Sequence, residues 1–239
     1  MADGVRHDWD LTPSQAIELQ KKLAKSVRIE PLRGIPRTIA GVDCALVGGG
    51  FRGRGASEIV AAAVLCDAET MELVEMAWCR RRLDLPYVPG LLSFREAPAV
   101  IEAVEKLSVR PDLLMCDGQG LAHPRGLGLA SHVGLWLDVP TTGVAKSRLC
   151  GEHGEVGGER GASAPLMYEG EVVGTVVRTR ANVRPLYVSV GHRITLDEAV
   201  QWVLAAGRGV RLPQPTRLAD QLAGRIKAGG GIGGGADSE

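Results

Sequence analysis

Two periods organise the apolar positions of this chain. Thr12-Pro13-Ser14-Gln15 opens the first helical pattern, with Thr12 as N-cap, Pro13 in the first turn and Gln15 in capping-box position. Ala16, Ile17, Leu19 and Leu23 continue it as an apolar stripe, predicting a helix to about Val27. Strand patterns follow at 37–47, 58–66 and 71–80, the last two joined by Asp67-Ala-Glu-Thr70, short enough for a hairpin. A helix starting between Ser93 and Pro98 carries Val100, Ile101, Val104 and Leu107 on one face. A strand at 112–117, a helix at 127–137, a strand at 139–145 and strands near 171–178 and 185–190 come next. Thr195-Leu-Asp-Glu198 is a capping box for a further helix, and a short one is expected near 214–227. Antiparallel strands first, then mixed β and α, predict one α/β domain over 11–227, a sheet flanked by helices. Residues 1–10 read as a flexible arm and the Gly-rich tail 228–239 as disordered. Gly-rich, polar 151–163 (GEHGEVGGERGAS) reads as a mobile surface loop.

Two of the apolar strands contain a carboxylate where a hydrophobic side chain is expected: Ile39-Ala-Gly-Val-Asp43-Cys-Ala-Leu-Val47 and Leu113-Leu-Met-Cys-Asp117. Desolvating an unpaired carboxylate costs several kcal/mol, so two such strands side by side would suit a divalent cation. Gly41 and Ala45 share Asp43's face and leave space there. A third acid, Glu96, stands in the capping-box spacing Ser93-Phe-Arg-Glu96. A helix begun at Ser93 would place Pro98 in the fifth helical position, where a backbone bond is lost, so a start nearer Pro98 is expected, freeing Glu96.

Charge balance narrows this little. Lysine plus arginine number 28 against 28 acids, a formal net charge of zero, so only local clusters suggest a phosphate-binding face. These are Arg80-Arg81-Arg82, Arg52 with Arg54, Lys146-Ser-Arg148, and Arg178, Arg180 and Arg184. Five cysteines without a C-x-x-C pair, four of them in apolar strands, read as small core residues in a reduced compartment. No apolar run is long enough to span a membrane and no signal-peptide pattern opens the chain; a cytoplasmic monomer is expected.

Two phosphate signatures fail. Gly118-Gln-Gly120 after a strand has His123 at the third glycine position, and Pro140-Thr-Thr-Gly-Val-Ala-Lys146-Ser147 lacks both glycines of a P-loop. His123 and His192 adjoin strand ends, and Lys146 follows an apolar strand. Carboxylates, histidine and lysine around a hard cation suit metal-assisted phosphodiester hydrolysis; they do not identify the substrate.

Longer motifs carry a resemblance. Gly41-Val-Asp43, Pro86-Tyr87-Val-Pro89-Gly90-Leu-Leu-Ser-Phe-Arg-Glu96, Asp117-Gly-Gln-Gly-Leu-Ala-His123-Pro-Arg125, Pro140-Thr-Thr-Gly-Val-Ala-Lys146-Ser and Tyr187-Val-Ser-Val-Gly-His192-Arg-Ile resemble those of endonuclease V, in order from about residue 10 to 210. The loop at 151–163 and the tail fall outside the likeness. The resemblance implies a ribonuclease-H-like fold and Mg²⁺-dependent cleavage (Mn²⁺ also serving) of the second phosphodiester bond 3′ to deoxyinosine in DNA, leaving 3′-hydroxyl and 5′-phosphate ends. It makes Asp43 and Asp117 direct metal ligands, with Glu96 acting directly or through water and His192 close to the metal. Lys146 would hold the scissile phosphate and His123 the substrate backbone. Tyr87 resembles the family's wedge, a rigid aromatic replacing lost base stacking, and Pro89 lies in the same segment. Gly90, Leu92, Gly118 and Gly128 match base-pocket positions. Some members prefer inosine in RNA; a module that binds inosine without cutting is a third reading, weakened by the three acids beside a phosphate.

Overall fold

The computed structural model describes residues 4–48, 55–83, 85 and 88–229. Among these, eight strands form one sheet and five helices pack on it. In chain order the elements are α1 (Pro13–Ala24), β1 (Thr38–Val47), β2 (Glu58–Asp67), β3 (Leu73–Arg82), α2 (Leu92–Glu105), β4 (Leu113–Cys116) and α3 (Leu129–Leu137). The remainder are β5 (Thr141–Ala145), β6 (Ser163–Tyr168), β7 (Glu171–Val177), β8 (Leu186–His192), α4 (Leu196–Ala205) and α5 (Gln214–Lys227). The strand order is β3-β2-β1-β4-β5-β8-β7-β6. β1, β4 and β5 run parallel at the centre; β2 and β3 on one side and β8, β7 and β6 on the other are antiparallel. This is the ribonuclease-H-like mixed sheet flanked by helices that the resemblance implies.

Burial on both faces explains the sequence of β2. Ile59, Ala61, Ala63 and Leu65 pack with α2 and α3 residues in one core, while Val60, Ala62, Val64 and Cys66 pack with Ala219, Leu222, Ala223 and Ile226 of α5 in another. A strand covered on both sides has no solvent face to mark by polar residues, so its apolar run is continuous. All five cysteines are free thiols, four of them on β1, β2, β3 and β4. No helix among the described residues is long and apolar enough to cross a membrane.

Several expectations need correction. The arm is not loose over residues 4–10: Val5 N–H donates to Leu135 O at 3.0 Å, and His7 and Trp9 pack in an aromatic cluster with Phe94, His132 and Trp136. Helix α2 starts at Leu92, not near Pro98; its start is set by the turn Val88-Pro89-Gly90-Leu91, and burial of Ala97, Val100, Ile101 and Val104 outweighs the one bond that Pro98 removes. Loop 151–163 is pinned. Glu152 bridges Met167, Val156 is buried against Leu166 and Val176, and the Arg178 guanidinium donates to the carbonyls of Val156, Gly157 and Val183. Arg178 is thereby spent on the fold rather than on phosphate. Strand β6 is an additional strand beyond those expected. The tail beyond Gly229, Arg52 and Arg54 lie outside the described residues.

Candidate active site

Parallel pairing of β1 with β4 sets Val42 opposite Cys116, and Asp117 N–H donates to Val42 O at 3.1 Å. Asp43 and Asp117 therefore stand side by side, each partly buried. Asp43 shares the face of Gly41, and that face is not open: the backbone of Pro215 and Thr216, at the start of α5, lies where a Cβ on Gly41 would sit. Glycine in mid-strand is what lets α5 come so close. One turn further along α5, Asp220 reaches the same spot. A carboxylate oxygen from each of Asp43, Asp117 and Asp220 lies within 4.8 Å of the others.

The Lys146 ammonium, one residue past β5, sits among them. It is 2.5 Å from Asp117 Oδ2, 3.0 Å from Asp220 Oδ1 and 3.4 Å from Asp43 Oδ2. Backbone contacts steady it, since Arg211 Nη2 donates to Lys146 O at 2.7 Å and to Pro185 O at 2.9 Å. Burial, then the Asp117 charge, push the Asp43 carboxyl up to about 9, against the pull of Lys146. Burial opposes the charge on Lys146, but the Asp117 and Asp43 carboxylates outweigh it and raise the ammonium above its ordinary value. With Asp43 ionised, three carboxylates would stand against one ammonium; the raised Asp43 carboxyl reflects that excess of negative charge, which a divalent cation would balance. The donors are all oxygen, with neither thiol nor imidazole in the cluster, which fits a hard cation such as Mg²⁺ or Mn²⁺.

Glu96, for which the resemblance implies a direct role or one through water, is outside that cluster of three aspartates. It belongs to α2, which covers the opposite face of the sheet from α5. It still approaches Asp117: burial first, then the Asp117 charge, raise it to about 8. The missed third acid is Asp220. Its signal was indirect, an acid bordering the buried Ala219-Leu222-Ala223 stripe of α5, with Gly41 marking where that helix meets β1.

His192 is at the wrong end of the sheet. Strand β8 runs antiparallel to β5, so His192 pairs with Thr141 while Tyr187 pairs with Ala145 next to Lys146. Four residues of strand separate the two ends, about 13 Å. The His192 ring is buried; Nδ1 accepts from Arg28 N–H at 3.2 Å and Nε2 faces Asp138 Oδ1 at 3.6 Å. His123 is also committed to the protein: Nδ1 accepts from Arg125 N–H at 3.1 Å, so Nε2 carries the proton it donates to Gly90 O at 3.1 Å. Burial, then the Arg125 charge, lower this ring to about 4 and keep it neutral. Both ring nitrogens are thus engaged within the protein, whereas the resemblance has His123 on the substrate backbone. Gly90, Gly118 and Gly128 gather around the Asp117 loop. Gly118 follows Asp117 and abuts Leu129, and Gly128 caps α3 with its N–H on Gly120 O at 2.9 Å. Pro89 and Gly90 form a turn closed by Leu91 N–H on Val88 O at 3.0 Å, with Gly90 at φ +79°, and Leu92 is exposed at the first position of α2. Tyr87 lies outside the described residues.

A mixed sheet whose adjoining parallel strands present paired aspartates, with lysine between them, defines a nuclease of the carboxylate type. More narrowly, the chain belongs to the Endonuclease V family, whose model, described as Endonuclease V, matches residues 21–221, the 151–163 loop included. An Endonuclease V of Geotalea uraniireducens is 53% identical over 87% of this chain and 86% of its own length. One of Azotobacter vinelandii is 49% identical over 94% and 99%. The solved structure of the Streptomyces avermitilis Endonuclease V superposes with a TM-score of 0.85 at 39% identity, covering 94% of this chain and 97% of that one. The fold also matches Ciona intestinalis Endonuclease V in complex with a DNA containing an inosine followed by a ribo-adenosine, with a TM-score of 0.77 at 22% identity over 92% and 99% of the two chains.

Proposed function

We propose that this chain is a Mg²⁺-dependent endonuclease, a cytoplasmic monomer that hydrolyses the second phosphodiester bond 3′ to deoxyinosine in DNA. It would leave 3′-hydroxyl and 5′-phosphate ends and so initiate repair of deaminated adenine. The observation that carries this reading is the convergence of Asp43, Asp117 and Asp220 around the Lys146 ammonium. These three aspartates would hold the cation, which when bound polarises the phosphoryl group and favours hydroxide over water. Lys146, held charged by the carboxylates, is free to turn from them toward the negative oxygens of the phosphate. Glu96, reaching Asp117 from the other face, would act through water by orienting the nucleophile. Gly90, Leu92, Gly118 and Gly128 would surround the base, their glycine backbones allowing close approach, while Tyr87 would fill the gap left in the stack.

Cleavage of an inosine-containing duplex, mapped to the nucleotide with Mg²⁺, Mn²⁺ or EDTA, tests this reading. Equal cutting with EDTA, or no preference over the undamaged duplex, would refute it. A second reading, the same hydrolysis in RNA, draws on the ribo-adenosine that follows inosine in the Ciona ligand. Parallel substrates with inosine in DNA and in RNA separate the two, and tight binding without turnover in either metal would favour the non-cleaving module.

A further inference from the structure

Gln20 is the one polar side chain on the buried face of α1, fully enclosed beside Ala16 and Leu23, and it lies just ahead of the segment that the family model matches. A buried amide is costly unless its donors and acceptor are used. Here all are. Nε2 donates to Leu127 O at 2.7 Å and to Gly90 O at 3.1 Å, and Oε1 accepts from Arg125 Nε at 2.5 Å. Arg125 Nη2 donates to the same Gly90 carbonyl at 2.7 Å, and His123 Nε2 at 3.1 Å. One carbonyl oxygen thus receives three donors, more than its two lone pairs require. That carbonyl belongs to a residue at φ +79° in the Pro89-Gly90 turn, and a Cβ on Gly90 would strike the Arg125 guanidinium. Leu127 immediately precedes Gly128, the N-cap of α3. Gln20 therefore ties together two corners, the Gly90 turn and the Leu127-Gly128 corner, from which the proposed base pocket is built.

We infer that Gln20, acting with Arg125, is a positioning residue that fixes the separation of the Gly90 turn from the Leu127-Gly128 corner and thereby sets selectivity for inosine. The inference rests on the proposed function of these glycines. Only an amide of this length supplies two donors and one acceptor here. A carboxylate would set an oxygen against two carbonyl oxygens, and a hydrocarbon would leave the Leu127 carbonyl without this donor, the Gly90 carbonyl tied only to Arg125 and His123, and Arg125 Nε without its acceptor.

The test is steady-state cleavage of inosine and matched undamaged duplexes by wild type, Gln20→Met and Gln20→Glu. Hydrogen exchange of the peptide spanning 88–91 is followed alongside. Gln20→Met, which removes all three hydrogen bonds of the amide, is expected to lower the inosine-to-undamaged ratio of kcat/KM about tenfold, the net worth of one to two buried hydrogen bonds. KM should rise more than kcat falls, and exchange at 88–91 should quicken while α5 peptides are unchanged. Gln20→Glu, which keeps the acceptor for Arg125 but loses both donors, should show the same loss of selectivity and separates the two halves of the network. Wild-type selectivity in both variants would overturn the inference, as would failure of both to fold, which would assign Gln20 to the core alone. A wild-type enzyme with no inosine preference would instead refute the proposed function.

Discussion

Asp43→Asn should make this protein more stable in EDTA while abolishing its cleavage. The carboxylate oxygens of Asp43, Asp117 and Asp220 lie within 4.8 Å of one another. At the effective dielectric constant of about 20 that suits such sites, two unit charges at that distance repel by about 3.5 kcal/mol. Asp43 takes part in two of these pairs. The Lys146 ammonium, 3.4 Å from Asp43 Oδ2, returns about 5 kcal/mol on the same scale. Ionised, Asp43 would lose about 2 kcal/mol to repulsion over attraction; burial and the Asp117 charge, which hold its carboxyl at about 9, leave it protonated near neutral pH instead, and keeping a proton that the unfolded chain gives up costs about 2 kcal/mol or more. Asparagine keeps the shape and, through its oxygen, the bond that Cys44 N–H donates to Asp43 Oδ1 at 2.7 Å. For a chain of this size the gain corresponds to roughly 5 °C in Tm. The assay is thermal unfolding of wild type and variant in EDTA and again in Mg²⁺. In EDTA the variant should melt above wild type; in Mg²⁺ wild type should rise while the variant rises little, since binding to the folded state alone raises stability. A variant that melts at or below wild type in EDTA would show that the acids do not repel in the folded molecule, and the electrostatic case for a cation would fail.

Asp220→Asn should lower kcat/KM by more than about 100-fold, beyond the usual cost of disturbing an outer partner of a metal site, with CD spectra unchanged; near-wild-type cleavage would remove Asp220 from the site. Gly41→Ala sets a methyl against the backbone of Pro215 and Thr216, which should cost about 1–3 kcal/mol in urea unfolding and, by pushing α5 away with Asp220, reduce cleavage as well. Stability should also fall in acid through His132, whose buried ring, against the nearby His7, is lowered to about 3 in the folded protein. The unfolded chain takes up that proton near pH 6.5 and the folded one does not, so stability is lost as pH falls from 6.5 toward 3, by about 1.4 kcal/mol per unit. Wild type should therefore lose about 2 kcal/mol more than His132→Leu between pH 6.5 and 5 in denaturant titrations; equal losses would exclude His132 as the source.

What the sequence revealed, and what it hid, follows from which contacts are local. The strands were legible because β1, β2 and β4 are buried on both faces and read as continuous apolar runs. A charge inside such a run is costly, so Asp43 and Asp117 stood out for a reason that holds in any fold. Asp220 did not, because an acid bordering the apolar stripe of an amphipathic helix looks like ordinary solvated surface. Its role exists only because Gly41 admits the start of α5 against β1, a contact between residues far apart in the chain. His192 failed in a complementary way. Its position at a strand end is legible in the sequence, but periodicity carries no direction, and the antiparallel course of β8 sends that end away from Lys146. The mobility expected of the 151–163 loop is absent because glycine content reports the freedom of an isolated chain, whereas Arg178 spends its guanidinium on two carbonyls there, Val156 and Gly157, and on a third at Val183. An arginine that reads as phosphate-binding in sequence and as a strut in the fold is the same side chain; only knowing which carbonyls lie within its reach decides between them. The same holds for His123, whose ring nitrogens are both taken by Arg125 and Gly90. The proposed base pocket should therefore respond more to the partners that hold its backbone, Gln20 among them, than to changes in its own exposed side chains.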